Sequence, residues 1–237
     1  MARILGHWRR DAADGHLCRR SFCGNVTMLT LHHLNNSRSQ KILWLLEELK
    51  LSYELVNYER DPQTLMGPPA LKALHPLGKS PVLEEDGHLL SESGAITEYI
   101  LSRYGRGRLA PDPTRQDHMR FVECMYFAVS AGMNPIMIKV YARAFGLTGA
   151  PMDVAATGEL ETALSYIEKM LGDGEWLMGD MFTAADIQMS FIPELANAIG
   201  AFKGHTKIAA WQKRLYARPA FHRSIERGGT YEFAAPA

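Results

Sequence analysis

From Met28 onward apolar and polar residues alternate through MLTLHH; Ile42, Leu45, Leu46 and Leu49 then recur at helical spacing, and YELVNY alternates again. A strand–helix–strand unit of this kind, roughly 30 residues long, predicts a parallel strand pair with a right-handed crossover. A short helical stretch follows over residues 69–74. SPVLEEDGHLL then reads as two strands joined by a turn at Asp86 and Gly87, so that pair is antiparallel. The helical period resumes over residues 91–104. The order β-α-β-α-β-β-α over residues 28–104 predicts a compact mixed-sheet domain, closed by the Gly- and Pro-rich linker GRGRLAPDP at residues 105–113.

Residues 114–237 keep a helical pattern without convincing alternation. MRFVECMYFAVSAGMNPIMI and LETALSYIEKML, set apart by Gly and Pro, predict a second, all-helical domain of about five helices. Within FTAADIQMSF, Thr183 and Asp186 have the spacing of a capping box with Asp in place of Glu, a folding signal rather than a catalytic one. Residues 1–27 carry five arginines and neither period; they read as a disordered extension, or as translation begun upstream of a true start at Met28.

Charge narrows the partners. Lys plus Arg and Asp plus Glu balance at 26 each, so no net field draws the chain to nucleic acid or to an anionic membrane. The three cysteines, Cys18, Cys23 and Cys124, lack metal-ligand spacing, which predicts no metal and a reducing compartment. No apolar run is long enough to span a bilayer and no secretory leader is evident, so the expected location is the cytoplasm.

Three polar stretches have the chemistry to converge at one end of the predicted sheet. In NNSRSQK, a strand ending near His33 and a helix opening around Ser37 to Ser39 leave free N–H groups and a partial positive charge, an anion site. Ser37 can donate a hydrogen bond to a thiolate; Ser37 or Ser39 can equally serve as a plain N-cap. No Ser/His/Asp arrangement or G-x-S-x-G elbow marks Ser37 as a nucleophile. In HPLGKSPVLEEDG, Pro81 gives no N–H and pushes Ser80 to extended geometry, and a cis bond there would present the Ser80 backbone to an extended ligand. Lys79 beside it suits a carboxylate or is simply solvated. In LLSESGAITEYI, Glu92 and Ser93 head a helix, either as caps or as a pair that takes the ammonium and carboxylate of an α-amino acid. His32 and His33 face opposite sides of a strand, which argues for core histidines over a metal pair.

The ordered set formed by the βαβ unit with its polar helix opening, then GKSPVL, ESGAITEY and TAADI, resembles the soluble glutathione S-transferases of serine type, bacterial and fungal members in particular, over Met28 to Arg227. The resemblance implies an α/β plus all-α fold: a thioredoxin-like N-terminal domain, an all-helical C-terminal domain and a homodimer. It implies that Glu92 and Ser93 hold the γ-glutamyl head group of glutathione, that Ser80 beside a cis Pro81 pairs with the cysteinyl unit, and that Lys79 takes the glycine carboxylate. Ser37 falls where the hydroxyl facing the sulfur belongs, with Asn36 and Arg38 as further sulfur contacts. The cysteine-type variant has no residue to carry it, because no Cys lies between Met28 and Glu123.

The helical half is expected to supply the pocket for a small apolar electrophile. Tyr126, Met133, Asn134, Ile138 and Tyr141 lie along a helical pattern broken by Gly132 and Pro135, where a bend would open a cleft; core packing is the competing role for each. Trp176, Trp211 and Phe221 are assigned to the core. The expected activity is glutathione transfer to apolar electrophiles, with reduction of organic hydroperoxides open to the same thiolate. Glutathione is a co-substrate and no cofactor is implied. The rival reading is a non-catalytic scaffold of the same fold, against which the joint presence of Ser37, Lys79, Ser80, Glu92 and Ser93 counts.

Overall fold

The computed structural model describes residues 28–61 and 63–234; the segment 1–27 lies outside them. Strand β1 (Leu29–Leu34) pairs in parallel with β2 (Tyr53–Tyr58), Leu31 opposite Leu55, and antiparallel with β3 (Val82–Glu85), Leu31 opposite Leu83. β4 (His88–Ser91) completes the sheet order β2-β1-β3-β4. The β3–β4 turn falls on Asp86 and Gly87, both with positive φ (51° and 78°), the conformation a tight two-residue hairpin demands.

Helix α1 (Ser39–Glu48) makes the crossover, α2 (Pro69–Leu74) leads to β3, and α3 (Ser93–Ile100) runs on into a π-helical turn at Leu101–Gly105. The helical half consists of α4 (His118–Phe127), α5 (Met133–Ala144), α6 (Pro151–Leu171), α7 (Ala184–Met189), α8 (Phe191–Ala198), α9 (Thr206–Tyr216) and α10 (Pro219–Gly228), then a 3₁₀ turn at Glu232–Ala234. Among the described residues that makes seven helices where the pattern predicts about five. The apolar period runs without interruption across 184–198, yet Pro193 has no N–H for the carbonyl of Met189, and the helix divides at Ser190. Gly132, just before α5, has no room for a side chain: a Cβ there would stand 2.5 Å from Phe127 and 2.6 Å from Ile192.

Every residue of α1 from Ser39 to Glu47 is buried, because the sheet covers one side and α3, α7 and α10 cover the rest. Trp44 meets Phe221 edge-on at 5.1 Å, the Glu48 carboxylate accepts two N–H groups of Arg218 at 2.6 and 3.0 Å, and Glu47 accepts Tyr53 Oη at 2.6 Å and Arg223 Nε at 2.9 Å. Trp211 and Phe221 are buried as expected, whereas Trp176 is only half-buried against the edge of the core. Cys124 is also core, and burial pushes its thiol up to about 12, which leaves it inert as a nucleophile.

The Thr183–Asp186 capping box is present. The fully buried Asp186 also accepts the Leu177 N–H at 2.9 Å and the Trp211 indole N–H at 3.0 Å, so it ties α7 to the preceding loop and to α9. Asp186→Ala leaves these donors unpaired at about 1–3 kcal/mol each, and the expected loss is at least ~3 kcal/mol of stability. Urea denaturation of the variant beside wild type measures it; a loss under ~1 kcal/mol would remove Asp186 from this role.

Candidate functional site

The chain leaves β1 at Leu34 and enters α1 through Asn35, Asn36, Ser37 and Arg38, with Asn36 in the left-handed region at φ 49°. Arg60, just past β2, clamps this loop: its side chain donates to the carbonyls of Asn35 at 3.2 Å, Asn36 at 3.1 Å and Leu65 at 2.8 Å, and its own N–H goes to Asn35 Oδ1 at 2.9 Å. Arg38 and Lys41 stand close enough to Arg60 or to each other for mutual repulsion, so the open end of α1 gathers cationic side chains beside its partial positive charge.

Ser37 is turned inward. Its hydroxyl, 5% exposed as a residue, donates to the Leu34 carbonyl at 2.8 Å, accepts the Ser39 N–H at 3.1 Å and lies 2.7 Å from Ser39 Oγ. Ser39 Oγ in turn meets His33 Nδ1 at 2.8 Å. Burial holds His33 down to about 4, although its hydrogen bond to the Gly228 backbone acts the other way. The ring is therefore neutral at pH 7; with Nε2–H turned to Gly228, Nδ1 accepts the Ser39 proton. The Ser37 and Ser39 hydroxyls thus bond buried backbone groups of Leu34 and Ser39 where β1 passes into α1, and half-buried Asn36 and Arg38 flank them.

The second stretch meets the first directly. Ser80 Oγ donates to the His32 carbonyl at 2.9 Å and accepts the Leu34 N–H at 3.1 Å, and the Ser80–Pro81 bond is cis. Lys79 is exposed. The third stretch is held to the first by Gln188 of α7, whose amide nitrogen donates to the Ser93 carbonyl at 3.1 Å while its Oε1 accepts Lys41 Nζ at 2.7 Å. Glu92 is exposed and takes a positive φ of 72°, a conformation that costs a non-glycine residue about 1–3 kcal/mol. Ser93, 2% exposed at the first position of α3, has a hydroxyl with no hydrogen-bond partner among the described residues. Such orphans are rare in a folded protein, and this one stands at the positive end of a helix dipole.

The residues assigned to the electrophile divide. Tyr141 is 54% exposed, stacks on Phe145 at 6.3 Å and lies within electrostatic range of Arg60, which places the end of α5 opposite the opening of α1. Ile138 is half-buried one turn earlier and Asn134 is exposed. Met133 joins the core, and Tyr126 turns its hydroxyl to Glu98 of α3 at 3.3 Å. Sequence reasoning passed over Arg60 and Gln188, whose partners are far along the chain, as well as the C-terminal turn, where the Glu232 N–H donates to Asn36 Oδ1 at 2.9 Å.

Behind the opening lies a buried polar cluster. Burial lowers Lys41 to about 7, with Arg38 adding to the fall and Glu194 opposing it; burial raises Glu194 to about 7 against its hydrogen bonds from Tyr231 and Ser190.

The site thus joins a mixed sheet of order β2-β1-β3-β4 to an all-helical domain packed on it, with the starts of α1 and α3 beside the cis Ser80–Pro81 bond, the architecture of a two-domain protein with a thioredoxin-like half. Residues 26–102 match the family model for the glutathione S-transferase N-terminal domain and residues 123–219 the model for its C-terminal domain. The chain is 33% identical to glutathione S-transferase 3 of Schizosaccharomyces pombe, over 84% of this chain and 88% of that one. It is 27% identical to glutathione S-transferase 1 of Saccharomyces cerevisiae, over 86% and 96%. The crystal structure of a glutathione S-transferase from Actinobacillus pleuropneumoniae superposes with a TM-score of 0.79 at 29% identity, covering 89% of this chain and 97% of its own. This chain belongs to the glutathione S-transferase family.

His33 makes the α1 cap sensitive to acid. Between pH 6.5 and about 4 the unfolded chain takes up a proton on this imidazole that the folded chain refuses, so stability is highest above the window and falls as pH drops through it. The share due to His33 is about 3 kcal/mol. Urea denaturation from pH 7 to 4 should show a slope in wild type that flattens in His33→Asn; equal slopes would exclude the assignment.

Proposed function

We propose that this protein activates glutathione as a thiolate for attack on small apolar electrophiles, the tripeptide lying extended between the openings of α3 and α1. The observation that carries this is the unpartnered Ser93 hydroxyl at the α3 N-terminus. A χ1 rotation turns it to a γ-glutamyl carboxylate, whose charge the helix end also favours, while exposed Glu92 takes the ammonium. The Ser80 backbone then faces the cysteinyl unit, Lys79 the glycine carboxylate, and the sulfur reaches the first turn of α1.

A free thiol titrates near pH 8.5 and is only about 3% ionised at pH 7. A hydrogen bond to the anion and a helix N-terminus together favour the thiolate by about 2–3 kcal/mol, enough to bring the titration to neutrality. The proton leaves to solvent; the sulfur lone pair forms the new bond to carbon as the leaving group departs with its electron pair. Organic hydroperoxides offer the same thiolate an electrophilic oxygen. The buried Ser37 hydroxyl is engaged by the Leu34 carbonyl and by Ser39, which favours the Asn36 amide as the donor, with Arg38 and Arg60 supplying positive field. The electrophile sits against Ile138 and Tyr141. A homodimer and a cytoplasmic location complete the reading, and exposed Met119, Val122 and Tyr126 on α4 offer an apolar face for a second copy.

Retention on immobilised glutathione tests the whole proposal; failure to bind would favour a scaffold. Ser93→Ala should weaken glutathione binding about 10- to 100-fold by calorimetry yet leave folding stability equal or higher, because it removes an unsatisfied buried hydroxyl. Asn36→Ala should slow turnover of an aryl halide about 10- to 100-fold. Ser37→Ala should instead cost about 1 kcal/mol of stability with turnover nearly kept; the reverse pattern would return the donor role to Ser37.

A further inference from the structure

The half-buried Asn36 amide has two faces, and only one of them helps an anion. Its Nδ2 donates; its Oδ1 repels. Oδ1 is already engaged by the backbone N–H of Glu232 at 2.9 Å, a contact that spans 196 residues. An N–H can bond only the oxygen of an amide, so this contact sets the flip state and leaves both Nδ2 protons available; among the described residues none finds an acceptor. The segment that supplies the N–H is itself anchored. The Tyr231 hydroxyl bonds the buried Glu194 carboxylate of α8, and Phe233 packs edge-on against Phe191 at 5.9 Å and against Tyr231 at 5.4 Å. Lys41, in the first turn of α1, lies over the opposite partner of that contact, 5.5 Å from the Phe191 ring centre. One aromatic cluster therefore ties the C-terminal turn and α1 to the same helix.

We infer that the turn at Tyr231–Ala234 is a positioning element for the thiol site: the Glu232 N–H locks the Asn36 amide so that its donor face is turned to the glutathione sulfur before the tripeptide arrives. The inference rests on the proposed seating of the thiol at the opening of α1. Without the lock the amide samples both faces, and the thiolate must order it on binding, at a cost of about 0.5–1.5 kcal/mol for one side chain. The charged and titratable groups around the amide are Arg38 just before α1, Lys41 on α1, Arg60 after β2, Tyr141 on α5, Glu194 on α8, and Tyr231 and Glu232 at the C-terminal turn. Removing the backbone N–H alone changes none of them, and the loss of the Glu232 carboxylate that accompanies a substitution at this position is controlled by an alanine there.

Glu232→Pro does this at the first position of a 3₁₀ turn, where proline fits. The pH titration of enzyme-bound glutathione thiolate, read by its ultraviolet absorbance, should move up by about half to one pH unit, and turnover below the midpoint should fall about three- to tenfold. Glu232→Ala keeps the N–H and should restore the wild-type midpoint. In Asn36→Ala the proline substitution should add nothing further, since it acts through that amide. If Glu232→Pro does not fold, Phe233→Ala, which frees the turn from Phe191 while keeping every charge and the Glu194 anchor, should show a rise in the same direction. An unmoved midpoint in the variant, or losses that multiply with those of Asn36→Ala, overturns the inference while the proposed function stands. Wild type without any thiolate signal overturns both.

Discussion

A helix buried on all sides must have its first turn satisfied from within the protein, and the opening of α1 is where this chain meets that demand. Ser37 and Ser39 close the inner donors and acceptors, His33 closes Ser39, and the Gly228 carbonyl closes His33. The end of α10 must come very near for this: a Cβ on Gly228 would stand 2.8 Å from Leu43 and 3.2 Å from the His33 ring. Because the inner side is complete, the outer side of the same turn, with Asn36, Arg38 and the helix dipole, is left for an anion. Structure and proposed chemistry divide one capping loop between them, residue by residue.

Much of this was legible in the sequence. The β-α-β-α-β-β-α order, the Asp86–Gly87 turn, the capping box and the break at Gly132 all rest on local patterns: alternation, a 3.6-residue period, turn residues at fixed offsets. One helix of the shortfall arises because an apolar period does not register that Pro193 breaks the hydrogen-bond ladder while leaving the buried face continuous. The candidate site was legible as three stretches but not as individual roles. In a run such as NNSRS, neighbouring side chains point in different directions, and the positive φ of Asn36 decides which of them face inward. Arg60, Gln188 and Glu232 carry no local signal at all; their importance comes from partners 24, 147 and 196 positions away.

The buried polar groups behind the site obey one rule. Lys41 and Glu194 lose solvation to the same packing, and each is kept in place by a hydrogen bond: the amine donates to Gln188 Oε1, and the carboxylate accepts from the Tyr231 hydroxyl. Uncompensated, either charge would be intolerable at this depth. Compensated, they fix the distance between α1, α8 and the C-terminal turn more narrowly than apolar packing alone would, since a hydrogen bond fails over a few tenths of an ångström.

Gln188 belongs to the helical domain, yet it is the residue that spans the starts of α1 and α3, both in the sheet domain. The spacing of these two helix starts is thus imposed from outside the unit that owns them. A chimera that grafts this sheet domain onto a foreign helical partner would inherit the side chains at both helix starts but not the ruler that spaces them, so recombination between relatives is constrained at a glutamine of the helical half.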